Sequence, residues 1–196
     1  MIVVMQATLL VLAGGDSRRM GRTKAWLEVG ETTLLRWVVD RLAPAFSEVL
    51  VSFAEPEQVH EHLPYRLVFD RKPSAGPLAG LEAGLVAARN DITFAVACDM
   101  PYVTREIAEM AIAASLGCDA AIPRIDGRAE PTCAAYRQSA MQAITAALDS
   151  GRFRAADLAE QLDVAWLEHL DPDLFRSLND PPDYERFRRE LGRSDN

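Results

Sequence analysis

The chain has 196 residues, with 21 Lys and Arg against 29 Asp and Glu, for a formal net charge of −8. Hydrophobic residues at 49% and charged residues at 26% are ordinary for a globular protein, which sets aside disorder and collagen-like structure. A nucleic-acid binder needs a broad basic face, and this acidic chain offers only the spot Arg18, Arg19, Arg22 and Lys24, which suits a small anion better than a polymer.

A chain of this length is read as one domain spanning residues 1–196. Cys98, Cys118 and Cys133 are odd in number and lack C-x-x-C spacing, so neither a disulfide framework nor a zinc site is implied. No stretch reaches the roughly 18 apolar residues of a membrane span, and the apolar start has no basic region before it. The expectation is a cytoplasmic protein that binds neither nucleic acid nor membrane.

Short apolar runs alternate with amphipathic stretches along the chain. Thr8–Ala13 reads as a strand leading into a glycine-containing loop through Lys24. Leu34, Leu35, Val38, Val39 and Leu42 recur at helical spacing, followed by a strand at Glu48–Ser52. A short helix is expected at Pro56–Leu63, a strand at Tyr65–Phe69, and a helix from Pro77 through Ala88. Thr93–Cys98 is a strand ending at Asp99-Met100-Pro101, and Thr104 can cap a helix to about Ser115.

Asp119–Ile122 and Thr132–Tyr136 are strand-like and flank the turn Asp126-Gly127. Ser139 with Gln142 has a capping-box pattern, and Gly151 ends that helix. Val164–Leu167 reads as a last strand and Tyr184–Leu191 as a terminal helix. This alternation predicts an α/β fold with a mainly parallel sheet and helices on both faces. Ligands of such sheets bind beyond the carboxyl ends of the strands. The loops Gly14–Lys24, Asp70–Gly80 and Asp99–Pro101 should converge there.

The run from Leu12 through Gly14, Gly15, Ser17, Arg19 and Gly21 to Lys24 is the most informative. Glycines let the backbone approach a ligand, successive N–H groups can cradle an anion, and Arg and Lys can neutralise phosphate oxygens. The run is neither a Walker A loop nor G-x-G-x-x-G. An ordinary exposed loop is the competing reading.

The pattern L-A-G-G-x-S-x-R-M-G-x-x-K resembles the nucleotide-binding signature of the molybdenum cofactor nucleotidyltransferases, and within them the MobA-type guanylyltransferase branch. The resemblance extends in order through Gly76–Gly80, Cys98-Asp99-Met100-Pro101, Asp126-Gly127 with Glu130-Pro131, and Asn179-Asp180-Pro181. It implies a Rossmann-like nucleotidyltransferase fold. It also implies transfer of GMP from GTP to the terminal phosphate of molybdopterin, bare or molybdenum-loaded, with release of pyrophosphate. The related cytidylyltransferase branch has L-A-A-G at the position of Leu12–Gly15, so the resemblance favours guanine.

By the same resemblance, Leu12, Ala13, Gly14 and Gly15 contact the nucleotide, and Lys24 and Arg19 meet its phosphates. Asp70 is a nucleotide contact, and Asp99 is both a catalytic residue and the ligand of Mg²⁺. The resemblance also suggests molybdoenzymes or cofactor-biosynthesis proteins as partners. Arg124 and Arg128 are candidate contacts for the acceptor phosphate on charge grounds, with Asn179 a third acceptor-side candidate from its motif. Two positions depart from the family pattern: Ser52-Phe53-Ala54 stands where an Asn is common, and Ser177-Leu178-Asn179 replaces N-x-N.

Plainer roles compete at each position. Asp99 could be a turn former or helix cap, Asp70 could pair with Arg71 or Lys72, and Lys24 could be a solvated lysine. Gly76 and Gly80 could serve helix–sheet packing or a phosphate site at a helix N-terminus. His60 and His62 do not share a helix face, and Cys98 belongs with the core. Alternative functions are a relative using CTP or another phosphorylated acceptor, and a catalytically idle nucleotide- or cofactor-binding module serving a molybdoenzyme.

Overall fold

The computed structural model describes residues 4–14, 24–73, 75–152 and 154–194. Its centre is strand β1 (Met5–Leu12), flanked in parallel by β4 (Phe46–Phe53) and β6 (Ile92–Ala97). β5 (Arg66–Phe69) extends the sheet in parallel beyond β4. On the other side, β9 (Cys133–Arg137) runs antiparallel between β6 and β7 (Ala120–Ile125), and β10 (Val164–Leu167) pairs in parallel with β7. The resulting order is β10-β7-β9-β6-β1-β4-β5, with β8 (Arg128–Ala129) paired to β7.

Alternation along β1 explains the layers. Leu9 and Val11 face a core shared with α1 (Leu34–Leu42) and α3 (Arg105–Ala114). Leu10 and Leu12 face the opposite core, with α2 (Pro77–Ala87) and α4 (Met141–Asp149). A strand buried on both faces reads as the continuous apolar run that the sequence shows. The mainly parallel sheet covered on both faces is thus as expected, with β9 and the short β8 running antiparallel to the rest.

Close approach dictates two glycines of α2. A Cβ on Gly84 would lie 2.1 Å from Leu10 Cδ2, and one on Gly80 would lie 2.7 Å from Ser52 Oγ. The helix therefore rests directly on β1 and β4, which puts its N-terminus at their carboxyl ends.

Three local expectations are corrected. The helix expected at Pro56–Leu63 is a single 3-10 turn, Pro56–Gln58, because the side chain and carbonyl of Gln58 are taken up by neighbouring segments. The capping box at Ser139 does not form: Ser139 Oγ donates to Asp119 Oδ1 at 2.6 Å, and α4 begins after a 3-10 turn at Gln138–Ala140. Thr104 occupies the N-cap position of α3 without a side-chain bond to the helix N–H groups. An unanticipated hairpin, β2 (Glu28–Val29) with β3 (Thr32–Thr33), precedes α1.

The terminal helix α5 (Pro181–Ser194) starts earlier than its apolar pattern indicates. Asp180 Oδ1 accepts from Asp183 N at 3.0 Å, and Pro181 opens the first turn. Leu178 and Phe187 pack with Val29 and Leu34 in a small third core. This contact returns the end of the chain to the carboxyl edge of the sheet. No helix of the described residues is long and apolar enough to cross a membrane.

Candidate active site

The carboxyl ends of β6, β1, β4 and β5 lie side by side, and a cleft of about 410 Å³ opens above them. Its lining includes residues of all three loops expected to converge, Gly14 and Lys24, then Asp70, Pro73, Gly76, Pro77 and Gly80, then Asp99, together with Leu12, Ala13, Ala97 and Cys98 at the strand ends. Ser52, Ala54, Glu55 and Gln58 complete it. The floor is tied together by Ala13 N donating to Ser52 O at 2.8 Å and Cys98 N donating to Leu12 O at 3.0 Å. A Cβ on Gly14 would sit 2.5 Å from Ala54 N, so only glycine lets these two loops meet.

Lys24 Nζ donates to Asp99 Oδ2 at 2.7 Å and to Asn179 Oδ1 at 3.1 Å. Neither charged side chain is solvated in the ordinary sense, with exposures of 18% and 21%. Asn179 arrives there because Leu178 N donates to Asp99 O at 2.8 Å while the Leu178 side chain enters the third core. Asp99 is therefore no helix cap: its carboxylate is committed to the cleft.

Asp70 pairs with neither Arg71 nor Lys72. Among the described residues its Oδ1 is buried without a hydrogen-bond partner, and burial followed by the nearby charge of Glu82 pushes its pKa up to about 7. Arg71 instead reaches buried Glu82 through Nε at 3.1 Å and Nη2 at 2.8 Å. Thr145 Oγ1 donates to Glu82 at 3.0 Å, and these bonds hold the Glu82 carboxyl below the usual range. Lys72 Nζ binds the Leu148 carbonyl and Asp149 on α4. The loop after β5 is thus anchored to α2 and α4, and nothing in the separation of these residues along the chain signalled it.

Cys98 lines the cleft, but burial and the Asp99 charge push its thiol pKa far up, which fits a core cysteine. Glu130 lies close enough to feel the Asp99 charge; its pKa is raised, chiefly by burial. Trp26 packs between Phe53 and His60 rather than lining the cleft, so His60 is an aromatic neighbour. Arg124 lies 3.7 Å over the Trp166 ring and 3.1 Å from Glu168, while Arg128 sits on β8; neither lines the cleft. Gly15 and Arg19 lie outside the described residues.

A cleft at the carboxyl edge of a parallel sheet, floored by close-packed glycine backbone and rimmed by a lysine and two aspartates, stands where open α/β proteins hold their ligands. The model of the MobA-like NTP transferase domain matches residues 9–165, and the chain belongs to that family. It is 34% identical over 185 residues to the probable molybdenum cofactor guanylyltransferase of Peptoclostridium acidaminophilum, covering 91% of this chain and 81% of that one. Identity to the molybdenum cofactor guanylyltransferase of Syntrophotalea carbinolica is 32% over 190 residues, covering 92% and 90%.

The crystal structure of molybdopterin-guanine dinucleotide biosynthesis protein A from Archaeoglobus fulgidus superposes with a TM-score of 0.82 at 25% identity, covering 95% of this chain and 99% of that one. The 2-C-methyl-D-erythritol 4-phosphate cytidylyltransferase of Thermus thermophilus shares the fold, with a TM-score of 0.74 at 22% identity over 96% of this chain and all of that one.

Proposed function

We propose that this protein transfers GMP from GTP to the terminal phosphate of molybdopterin, bare or molybdenum-loaded, releasing pyrophosphate and leaving the guanine dinucleotide cofactor. The observation that carries this reading is the meeting of Lys24, Asp99 and Asn179 over the ends of β1 and β6. The substrates follow from the named activity of relatives that align along most of the chain.

In the reaction an acceptor phosphate oxygen forms a bond to the α-phosphorus of GTP. The bond from that phosphorus to the bridging oxygen breaks, and pyrophosphate leaves with the electron pair. Positioning and charge neutralisation supply most of the catalysis in such transfers. The backbone of Leu12, Ala13 and Gly14 lets the nucleoside lie close to the sheet. Lys24 exchanges Asp99 for phosphate oxygens, with Asn179 keeping its ammonium at the cleft. Arg19 and Gly15 take their roles in this reading from their place in the signature.

The chemistry of Asp99 fits Mg²⁺: its carboxylate is a hard donor of the kind this ion prefers, and phosphate oxygens and water would complete the shell. Among the described residues no group of three or more His, Cys, Asp or Glu converges. Bound there, Mg²⁺ would neutralise triphosphate charge.

Retention of Lys24 and Asp99 in contact with each other speaks against an idle binding module. The test is incubation with Mg²⁺, molybdopterin and each of the four NTPs, measuring pyrophosphate and dinucleotide. Turnover with GTP is expected. Turnover with CTP alone overturns the nucleotide assignment, and GTP binding without turnover supports the binding module. Omitting Mg²⁺ in the presence of EDTA is expected to abolish turnover.

A further inference from the structure

The turn after β4 builds the cleft wall on the side away from Asp99. Gln58 N donates to Glu55 O at 3.2 Å, closing the 3-10 turn Pro56–Gln58. The turn is clamped from outside: Trp26 Nε1 donates to the Gln58 carbonyl at 2.7 Å, with its ring stacked on Phe53 at 5.9 Å and on His60 at 5.6 Å.

Ala54 N donates to Gln58 Oε1 at 2.9 Å. Only the oxygen of an amide accepts from an N–H, so this bond settles which way the Gln58 side chain points. Its Nε2 is thereby the donor end of a side chain that lines the cleft. Glu55, the extended residue that precedes the turn, lines the same cleft with a carboxylate.

Asp99 follows β6 and Gln58 follows β4, with β1 between them. Two strand spacings separate these positions by roughly 10 Å, the span from a nucleotide's phosphates to its base. With the phosphates at Lys24, the base falls against the Glu55–Gln58 turn.

We propose that this turn reads the edge of the guanine base, Gln58 Nε2 donating to O6 and Glu55 accepting from N1–H and the N2 amino group. The proposal rests on the guanylyl-transfer reading above. Guanine carries an acceptor at O6, whereas adenine and cytosine place an amino donor at the matching position. Either would meet the Gln58 donor with a donor. A polar group left unpaired in this way is what makes hydrogen-bonding sites discriminate strongly.

The test is calorimetric titration of the full chain, with Mg²⁺, against GTP, ITP, ATP, CTP and inorganic tripolyphosphate. Gln58→Glu keeps an oxygen for Ala54 N–H but replaces the donor with an acceptor. It is expected to weaken GTP about tenfold or more, to narrow the gap to ATP, and to leave tripolyphosphate unchanged. Glu55→Met removes the acceptor for the N2 amino group, so the preference for GTP over ITP should fall to within about twofold of unity.

Unchanged base preference in both variants, or a loss that tripolyphosphate shares equally, overturns the proposal. Should Gln58→Glu fail to fold, the GTP-to-ITP ratio of Glu55→Met decides alone. A wild-type chain that prefers another NTP overturns the guanylyl reading itself. A wild-type preference for GTP with both variants unchanged overturns only the role of the turn.

Discussion

Lys24 Nζ lies 2.7 Å from Asp99 Oδ2 across 75 residues of chain, bridging the loop after β1 to the loop after β6. Each side chain is about four-fifths shielded, and Asn179 holds the lysine from a third direction. In the proposed reaction the pair separates when a triphosphate supplies anionic oxygens for the lysine and frees the aspartate.

Lys24→Ala and Asp99→Ala are each expected to lower guanylyl transfer by about 10²–10³, the scale of removing one group that stabilises developing charge. Stability should fall by about 2 kcal/mol without loss of the fold, because each truncation removes the opposite charge from a mostly shielded partner. Pyrophosphate release together with urea unfolding checks both halves. A variant with an unchanged rate would remove that residue from the mechanism.

Asp70 predicts a pH dependence of stability. Its pKa of about 7 in the folded chain lies above its ordinary value of 3.8, because burial and Glu82 disfavour the charged form. Between these values the folded state keeps a proton that the unfolded state has released. The contribution of this group is therefore most favourable below the lower value and declines as pH rises to about 7. Asp70→Asn should gain about 1 kcal/mol over wild type at pH 8, after allowance for solvent screening, and almost nothing at pH 4. Urea midpoints at the two pH values measure it; equal gains would show that charge burial is not the cause.

The Arg71–Glu82 pair is asymmetric, with the carboxylate 3% exposed and the guanidinium 48% exposed. Arg71→Ala strands a buried charge and should cost about 3 kcal/mol. Glu82→Met removes that charge and leaves Arg71 beside Asp149, so it should cost about 1 kcal/mol or less. Denaturant unfolding of both variants reads the difference, and a reversed order would refute the burial argument.

Two glycines should respond in opposite directions to alanine. Gly84→Ala places a Cβ 2.1 Å from Leu10 and should destabilise by about 2–3 kcal/mol as α2 is pushed off the sheet. Gly192 lies in α5 with nothing within 4 Å of an added Cβ, so Gly192→Ala should stabilise by about 0.5 kcal/mol. Thermal midpoints compare the two.

Local chemistry made most of the fold legible. Leu34–Leu42 has its apolar residues at helical spacing, and Thr33 caps it by accepting from Arg36 N. Val164–Leu167 is a strand with the bounds expected of it. Asp126 and Gly127 both adopt positive φ, the conformation of a tight hairpin turn, between β7 and β8. Ser139 failed as a cap because Asp119, twenty residues away, competes for its hydroxyl. No pattern within a short window contains that competitor.

The candidate site divides in the same way. Gly14, Lys24, Asp70 and Asp99 stand in the three strand-end loops and were assigned roles by the family resemblance, and the parallel sheet brings all four to one cleft. Arg124 and Arg128 were chosen on charge alone. The fold gives Arg124 to Trp166 and Glu168 and leaves Arg128 on β8, and neither reaches the cleft. Glu55, Gln58 and Glu82 went unnoticed because their importance comes from partners on other elements.

By itself the sequence determined the alternation of strands and helices, the family signature and the edge of the sheet where a ligand binds. These depend on periodicity, turn residues and motif order, which act over a few positions at a time. Tertiary structure alone decided that Asn179 meets Lys24, that Arg71 pairs with Glu82, and that the Gln58 amide is locked by Ala54. Those contacts depend on how α2 and α5 settle on the sheet. That in turn is set by the close approach at Gly80 and Gly84 and by the small core around Leu178 and Phe187.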